Sequence, residues 1–132
     1  MSRREELIRM RAAFRVITRD LVQEVIVIAN RENNGGFLDT AAQQAGRAAA
    51  MGTFAGRIQS MTVESFIDSL PKKEQAELAA LMVLGREPHT LRARDVEAAA
   101  DPTSWTCSLG QYLASKGGLA RYLQEGMRVL GL

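Results

Sequence analysis

Apolar residues in the first thirty positions recur at intervals of three and four, which is the spacing of one face of an α-helix. The series is Leu7, Met10, Phe14, Ile17, Leu21, Val25 and Ile28. At 100° per residue, these side chains fall within an arc of about 80°. We therefore predict one long amphipathic helix from about residue 3 to residue 31. The run "NRENNGG" at 30–36 predicts its end, because Asn and Gly tolerate the left-handed conformation that ends helices.

The helical spacing returns in the second half of the chain. It predicts a short helix at about 62–70, a helix from Pro71 that ends at Gly85, two helices at about 90–100 and 103–115, and a final helix after "KGG". We expect Gly85 to be the left-handed residue just past its helix. No alternating β-pattern of useful length occurs. The sequence thus predicts an all-α, single-domain bundle of about six helices covering residues 1–132.

The segment "TAAQQAGRAAAMGTFAG", at 40–56, consists mainly of small residues. Small side chains let backbones approach closely, which favours a helix packed tightly on a neighbour. Glycine within a helix costs about 1 kcal/mol relative to alanine, which favours a partly mobile segment instead. The sequence leaves both alternatives open.

Composition excludes several classes of protein. Apolar residues make up 46% of the chain and charged residues 24%, as in folded globular proteins, and the net charge of +2 offers little general attraction to nucleic acid. Cys107 and His89 are the single cysteine and histidine, so we expect neither a disulfide nor a metal site. The longest apolar run, "VIVIA" at 25–29, is too short to span a bilayer, and the N-terminus lacks the apolar core of a secretory signal. We expect a cytoplasmic protein.

The polar residues form no recognisable catalytic pattern. Acidic residues come close together in the sequence at Glu74 and Glu77, and again at Asp95, Glu97 and Asp101, but such residues usually lie on solvated helix faces. We expect Cys107 to be a small buried residue inside a helix, and Trp105 and Tyr112, seven positions apart, to share one buried helical face. The glycine-containing segments match no nucleotide-binding fingerprint. We therefore predict no catalytic or cofactor-binding residue and a protein that is not an enzyme.

Two segments carry a family resemblance. "EQAELAALMVLGR" at 74–86 and "YLASKGGLARYLQEGMRVLG" at 112–131 resemble the paired signatures of a mainly proteobacterial domain family of unknown function. In that family, an EQxEL…AL…LGRG segment precedes a YL…PLLADYLEEGL segment. The likeness covers about residues 62–131. It implies a small helical cytoplasmic protein, and it assigns no catalytic or binding residue.

Two classes of function fit these observations. The first is a protein-interaction or structural module, acting as a homodimer or with another protein, because the first helix carries a regular apolar seam that one small domain does not easily cover. Its predicted interface residues are Leu7, Met10, Phe14, Ile17 and Leu21.

The alternative is a nucleic-acid-binding or regulatory protein. Residues 1–19 contain six arginines against two glutamates, and a stripe of arginines on the first helix is the predicted contact with an acidic partner. The stripe consists of Arg4, Arg11, Arg15 and Arg19. The helices at 71–85 and 90–100 also have the outline of a helix-turn-helix, but Ala98, Ala99 and Ala100 offer no side chains that read bases. The sequence therefore favours the interaction module.

Overall fold

The structure is a computed structural model that describes residues 2–38 and 62–132, with backbone only at 33–38. All its regular elements are helical, and the predicted all-α bundle is confirmed. The α-helices are α1 (Arg3–Ala12), α2 (Arg19–Leu38), α3 (Val63–Asp68), α4 (Lys72–Arg86), α5 (Ala93–Ala99), α6 (Leu109–Ala114) and α7 (Leu119–Leu130), and a 3₁₀ turn spans Pro102–Ser104. The segment at 40–56 lies outside the described residues.

Helix α4 is the centre of the fold. It packs against α5, α6 and α7, and its residues from Gln75 through Met82 are all buried. A helix buried on every side must satisfy its polar side chains internally. Gln75 does so by donating from Nε2 to the carbonyl oxygen of Leu70, at 2.8 Å, which ties α4 to the turn that precedes it.

Helices α4 and α7 cross at unusually close range because each contributes a glycine. A β-carbon added at Gly85 would lie 1.7 Å from the carbonyl oxygen of Tyr122, and one added at Gly126 would lie 2.6 Å from the carbonyl oxygen of Leu81. The prediction that Gly85 is a left-handed residue past the helix end was wrong, since it lies within α4 without a positive φ. Close backbone approach explains this glycine instead.

The first predicted helix is divided in two. Residues 13–18 separate α1 from α2, so the prediction of one continuous helix from 3 to 31 was wrong. The side chain of Glu77, from α4, reaches this break, and its carboxylate accepts hydrogen bonds from the backbone amides of Val16, at 3.0 Å, and Ile17, at 3.2 Å. Thr18 then caps α2 by accepting from the amide of Leu21. These bonds satisfy amides that a continuous helix would have paired internally.

Helix α2 runs on through the segment predicted to end it. It continues to Leu38 and therefore includes "NRENNGG", so the predicted stop at 30–36 was wrong. Asn and Gly weaken a helix without forbidding its backbone angles. A tertiary contact lies within this segment, because Glu32 Oε1 accepts from the amide of Val63, at 2.9 Å, at the first turn of α3.

The predicted helix at 103–115 is shorter than expected. Its first part is the 3₁₀ turn, and α6 begins only at Leu109, where the side chain of Ser108 caps it. Trp105 therefore lies outside a helix, although it packs against the core as predicted, with its ring centroid 5.2 Å from that of Tyr112. The expectation of a buried Cys107 was wrong: it lies before α6 and is exposed.

Candidate interaction surface

The inner side of α1 is fastened to the rest of the chain by charged groups. Glu6 is buried, and its carboxylate pairs with Arg3 at 3.2 Å and with Arg92 at 3.4 Å. Arg3 also donates to the carbonyl oxygens of Pro88 and Leu91. These contacts place α1 against the segment that joins α4 to α5.

Arg9 adds a second attachment to α5. Its Nε and Nη2 donate to the two carboxylate oxygens of Glu97, at 3.1 and 2.6 Å. Such a two-point contact fixes the orientation of both side chains more strongly than a single bond. Two of the six arginines at 1–19, Arg3 and Arg9, are therefore used to hold α1 in place.

The outer side of α1 carries an exposed isoleucine among arginines. Ile8 is 63% exposed, and Arg4 and Arg11 lie four positions before it and three after it, on the same helical face. Arg11 extends towards the end of α7, where a β-carbon added at Gly131 would lie 3.9 Å from its Nη1. Arginine is enriched at protein–protein interfaces, and a partner that covers Ile8 would remove its apolar surface from water.

The four arginines predicted to bind an acidic partner are all exposed. Within residues 2–38 and 62–132, Arg4, Arg11, Arg15 and Arg19 form no ion pair. They do not form a single helical stripe, however. Arg15 lies in the break and Arg19 is the first residue of α2, so the prediction of one stripe along a continuous helix was wrong.

The predicted apolar interface packs mainly against the chain itself. Met10 is fully buried, so it has no surface left for a partner. Leu7, Phe14, Ile17 and Leu21 are partly buried and pack against the same core. The break explains this outcome. Because Glu77 holds residues 16 and 17 against α4, the apolar side chains on both sides of the break pack against the core.

An open depression of about 330 Å³ lies between α1 and α5. It is lined by Glu6, Arg9, Arg92 and Arg94. Arg94 is exposed and, within the described part of the chain, forms no ion pair. Sequence reasoning missed both this arginine and Ile8. The position of Ile8, opposite the apolar seam, indicated that its side chain is exposed. No local sequence pattern connects Arg94 to α1.

Most of the acidic residues considered for catalysis already bind other groups of the chain through their carboxylates. Glu77 is fully buried and accepts backbone amides, and Glu97 binds Arg9. Asp95 accepts from the amide of Arg92, at 3.1 Å. The backbone amide of Thr103, and then its hydroxyl, donate to the Asp101 carboxylate and hold its pKa below the usual 3.8. These carboxylates act as caps and ion-pair partners in the fold.

No group of three potential metal ligands occurs among residues 2–38 and 62–132. Over the same residues, no helix has both the length and the apolar character needed to cross a bilayer.

One protein family matches the part of the chain that contains both of the segments with a family resemblance. The family described as "Protein of unknown function (DUF3775)" matches residues 60–132, which is more than half of the chain. The chain belongs to this family. No curated protein and no solved structure gives a significant match.

The DUF3775 match covers α3 to α7. The segments 74–86 and 112–131 both lie within this match, and they meet where Gly85 and Gly126 lie at the crossing of α4 and α7. Two polar residues of "EQAEL" are also structural, since Gln75 caps the preceding turn and Glu77 binds the amides of the N-terminal break. Helices α1 and α2, including the surface around Ile8, lie outside the DUF3775 match.

Proposed function

We propose that this member of the DUF3775 family is a non-catalytic protein-interaction module and that α1 is its binding element. The observation that carries the proposal is the difference between the two sides of α1. Its inner side is tied down through Glu6 and Arg9, while its outer side presents Ile8 beside Arg4, which has no ion pair in the described residues. A helix held in place before binding loses less conformational entropy when a partner docks on it.

The non-catalytic part of the proposal is supported by what the candidate carboxylates do. Glu77, Asp95 and Asp101 all accept hydrogen bonds from backbone amides, so their carboxylates already serve to hold the fold together.

A different protein suits this surface better than a second copy of the chain. In a symmetric dimer the same patch occurs on both sides of the contact. Arg4 and Arg11, which form no ion pair within the described residues, would then face a patch that carries the same arginines, and like charges repel. Homodimerisation remains a prediction, and light scattering at micromolar concentration checks it, since a dimer has twice the 14.5 kDa mass of the chain.

Site-specific crosslinking tests the proposed binding element. A photoreactive amino acid at Ala12, one turn after Ile8 and also exposed, should form an adduct with a distinct protein in cells. The matched control carries the same group at Gln124, an exposed position on α7. We expect the Ala12 adduct to disappear in an Arg4→Glu background. Identical adducts at both positions, or none at Ala12, would contradict the proposal.

The nucleic-acid alternative depends on the exposed Arg4, Arg11, Arg15 and Arg19. If they contact phosphates, affinity for duplex DNA should fall steeply between 50 and 200 mM salt, by roughly tenfold or more for each few phosphates neutralised. Absence of binding at low salt would remove this alternative.

A further inference from the structure

The outer face of α1 has an apolar centre. Ile8 and Ala12 lie one turn apart, and both are exposed. The alanine leaves room above the helix surface, so an approaching apolar side chain can lie against Ala12 and contact Ile8. Among the exposed residues of α1, only Glu5 is acidic.

Basic groups lie on both sides of this apolar centre. Arg4 and Arg11 are on the side that faces α7, and Arg9 is on the side that faces α5. Beyond Arg9, Arg92 and Arg94 line the depression between α1 and α5. The arrangement is therefore an apolar ridge flanked by Arg4 and Arg11 on one edge and by Arg94 on the other, because Arg9 and Arg92 already pair with Glu97 and Glu6.

The depression alone is a poor site for a small anion. Glu6 lines it and shares its carboxylate with Arg3 and Arg92, so its negative charge would oppose an ion that entered. Arg94 and Arg4 are better placed to bind a carboxylate, since each is exposed and forms no ion pair within the described residues. An acidic partner that lies across α1 reaches these two from outside and stays clear of Glu6.

We infer that α1 recognises an acidic amphipathic helix of a partner protein. Apolar residues of that helix pack on Ile8 and Ala12, and carboxylates along its two edges pair with Arg4 and Arg11 on one side and with Arg94 on the other. This inference rests on the proposed function and adds the chemistry of the partner. It also accounts for the pairing of charge with an exposed isoleucine, because protein–protein interfaces combine an apolar centre with a polar rim.

An acidic helix accounts for the surface better than a nucleic-acid backbone does. Phosphates would pair with the arginines, but they would leave Ile8 without a function. Removing most of an isoleucine side chain from water is favourable at roughly 25 cal/mol per Å² of apolar surface, and only a partner with apolar residues uses this. Val27 on α2 is a suitable control for Ile8, because it is exposed to a similar extent, at 59%. Its preceding neighbours on the helix surface are Gln23 and Glu24, neither of which is a cation.

Titration with three synthetic peptides tests the inference on the full-length protein. The first peptide is a helix with leucines on one face and glutamates along both edges. The second has the same composition in scrambled order, and the third has glutamine in place of every glutamate. We expect the first peptide to bind at least about tenfold more tightly than either of the others at 50 mM salt, because it alone presents both features in register.

Paired substitutions locate the contact. We expect Ile8→Ser to weaken binding of the first peptide by about tenfold, and Val27→Ser, its matched control, to leave binding within about twofold of wild type. Arg4→Ala and Arg94→Ala should each weaken binding by about three- to tenfold, and the loss should shrink as salt rises. Arg121→Ala, at an exposed position on α7, is the control for charge.

Two results would overturn the inference: equal binding of the ordered and scrambled acidic peptides, or no effect of Ile8→Ser. Displacement of the first peptide by a short DNA duplex at equal concentration would also count against it. The proposed function can be judged separately. If Ala12 crosslinks to a protein in cells but the acidic peptide does not bind, α1 is the binding element and the partner chemistry is wrong. If neither occurs, both proposals fail.

Discussion

Glu77 and Val16, which are 61 positions apart in the chain, are joined by a hydrogen bond of 3.0 Å between the carboxylate of one and the backbone amide of the other. The same carboxylate oxygen accepts from Ile17, and Lys73 lies 3.6 Å from the second oxygen. One buried side chain of the family segment therefore fixes where α1 ends and α2 begins. The orientation of α1, and with it the exposed face around Ile8, depends on this contact.

We predict that Glu77→Gln lowers the free energy of unfolding by about 1–3 kcal/mol, since hydrogen bonds to a charged group contribute about that much. Urea denaturation followed by circular dichroism measures the change. Glu74→Gln is the matched control in the same helix, at a position that is only partly buried, and should change stability by less than about 0.5 kcal/mol. Hydrogen exchange at the amides of Val16 and Ile17 should also accelerate in Glu77→Gln. Unchanged exchange there would show that the carboxylate does not hold the break.

The α4–α7 crossing should not accept a β-carbon. We predict that Gly85→Ala destabilises the protein by more than about 3 kcal/mol and Gly126→Ala by about 1–3 kcal/mol, because the added carbon would overlap backbone atoms in the first case more severely than in the second. Gly117→Ala is the control, since a β-carbon there meets nothing within 4 Å. That variant should be neutral or slightly stabilised, by up to about 1 kcal/mol. Equal melting temperatures for Gly85→Ala and wild type would exclude the close crossing.

The Arg9–Glu97 pair should contribute modestly to the attachment of α1. Both side chains are partly exposed, so we predict a small but measurable coupling between them in a double-mutant cycle of Arg9→Ala and Glu97→Ala. The coupling should shrink at about 1 M salt, where the screening length is only about 3 Å. A coupling energy of zero at low salt would mean that Glu6 and Glu77 hold α1 without this pair.

Asp101 should give the protein an acid-dependent component of stability. Its pKa is lowered in the folded chain by the amide and hydroxyl of Thr103, so the unfolded state binds this proton more readily. The stabilisation is complete above pH 3.8, the ordinary value, and is lost as the pH falls through the lowered folded pKa.

Comparison with Asp101→Asn isolates this effect. At pH 7 the wild type should be the more stable protein, and the difference should diminish as the pH falls below about 4. Denaturant titrations at several pH values measure it. A difference that is independent of pH would contradict the predicted linkage.

The elements that sequence analysis predicted correctly are those whose signal is local. Pro71 marks the boundary between α3 and α4, and the spacing of Leu119, Leu123 and Leu130 identifies α7. Proline cannot continue a helix, and a 3.6-residue apolar period remains visible in the sequence wherever the fold places that face. The same reasoning explains why the absence of alternating patterns predicted an all-α protein.

The errors arose where a distant group decides the local structure. Phe14 and Ile17 continue the apolar period across the break, so the sequence read as one helix, but the carboxylate that ends it belongs to Glu77 on α4. Gly85 resembled a helix end because glycine suits both a left-handed residue and a close crossing, and only the position of Tyr122 distinguishes the two.

The same distinction between local and distant causes applies to the candidate surface on α1. The sequence by itself determined that α1 is helical and rich in arginine, because both are properties of consecutive residues. The tertiary structure decided which of its sides is covered. Met10 became buried, Arg9 became the partner of Glu97, and Ile8 was left exposed, because the directions of side chains depend on where the neighbouring helices pack.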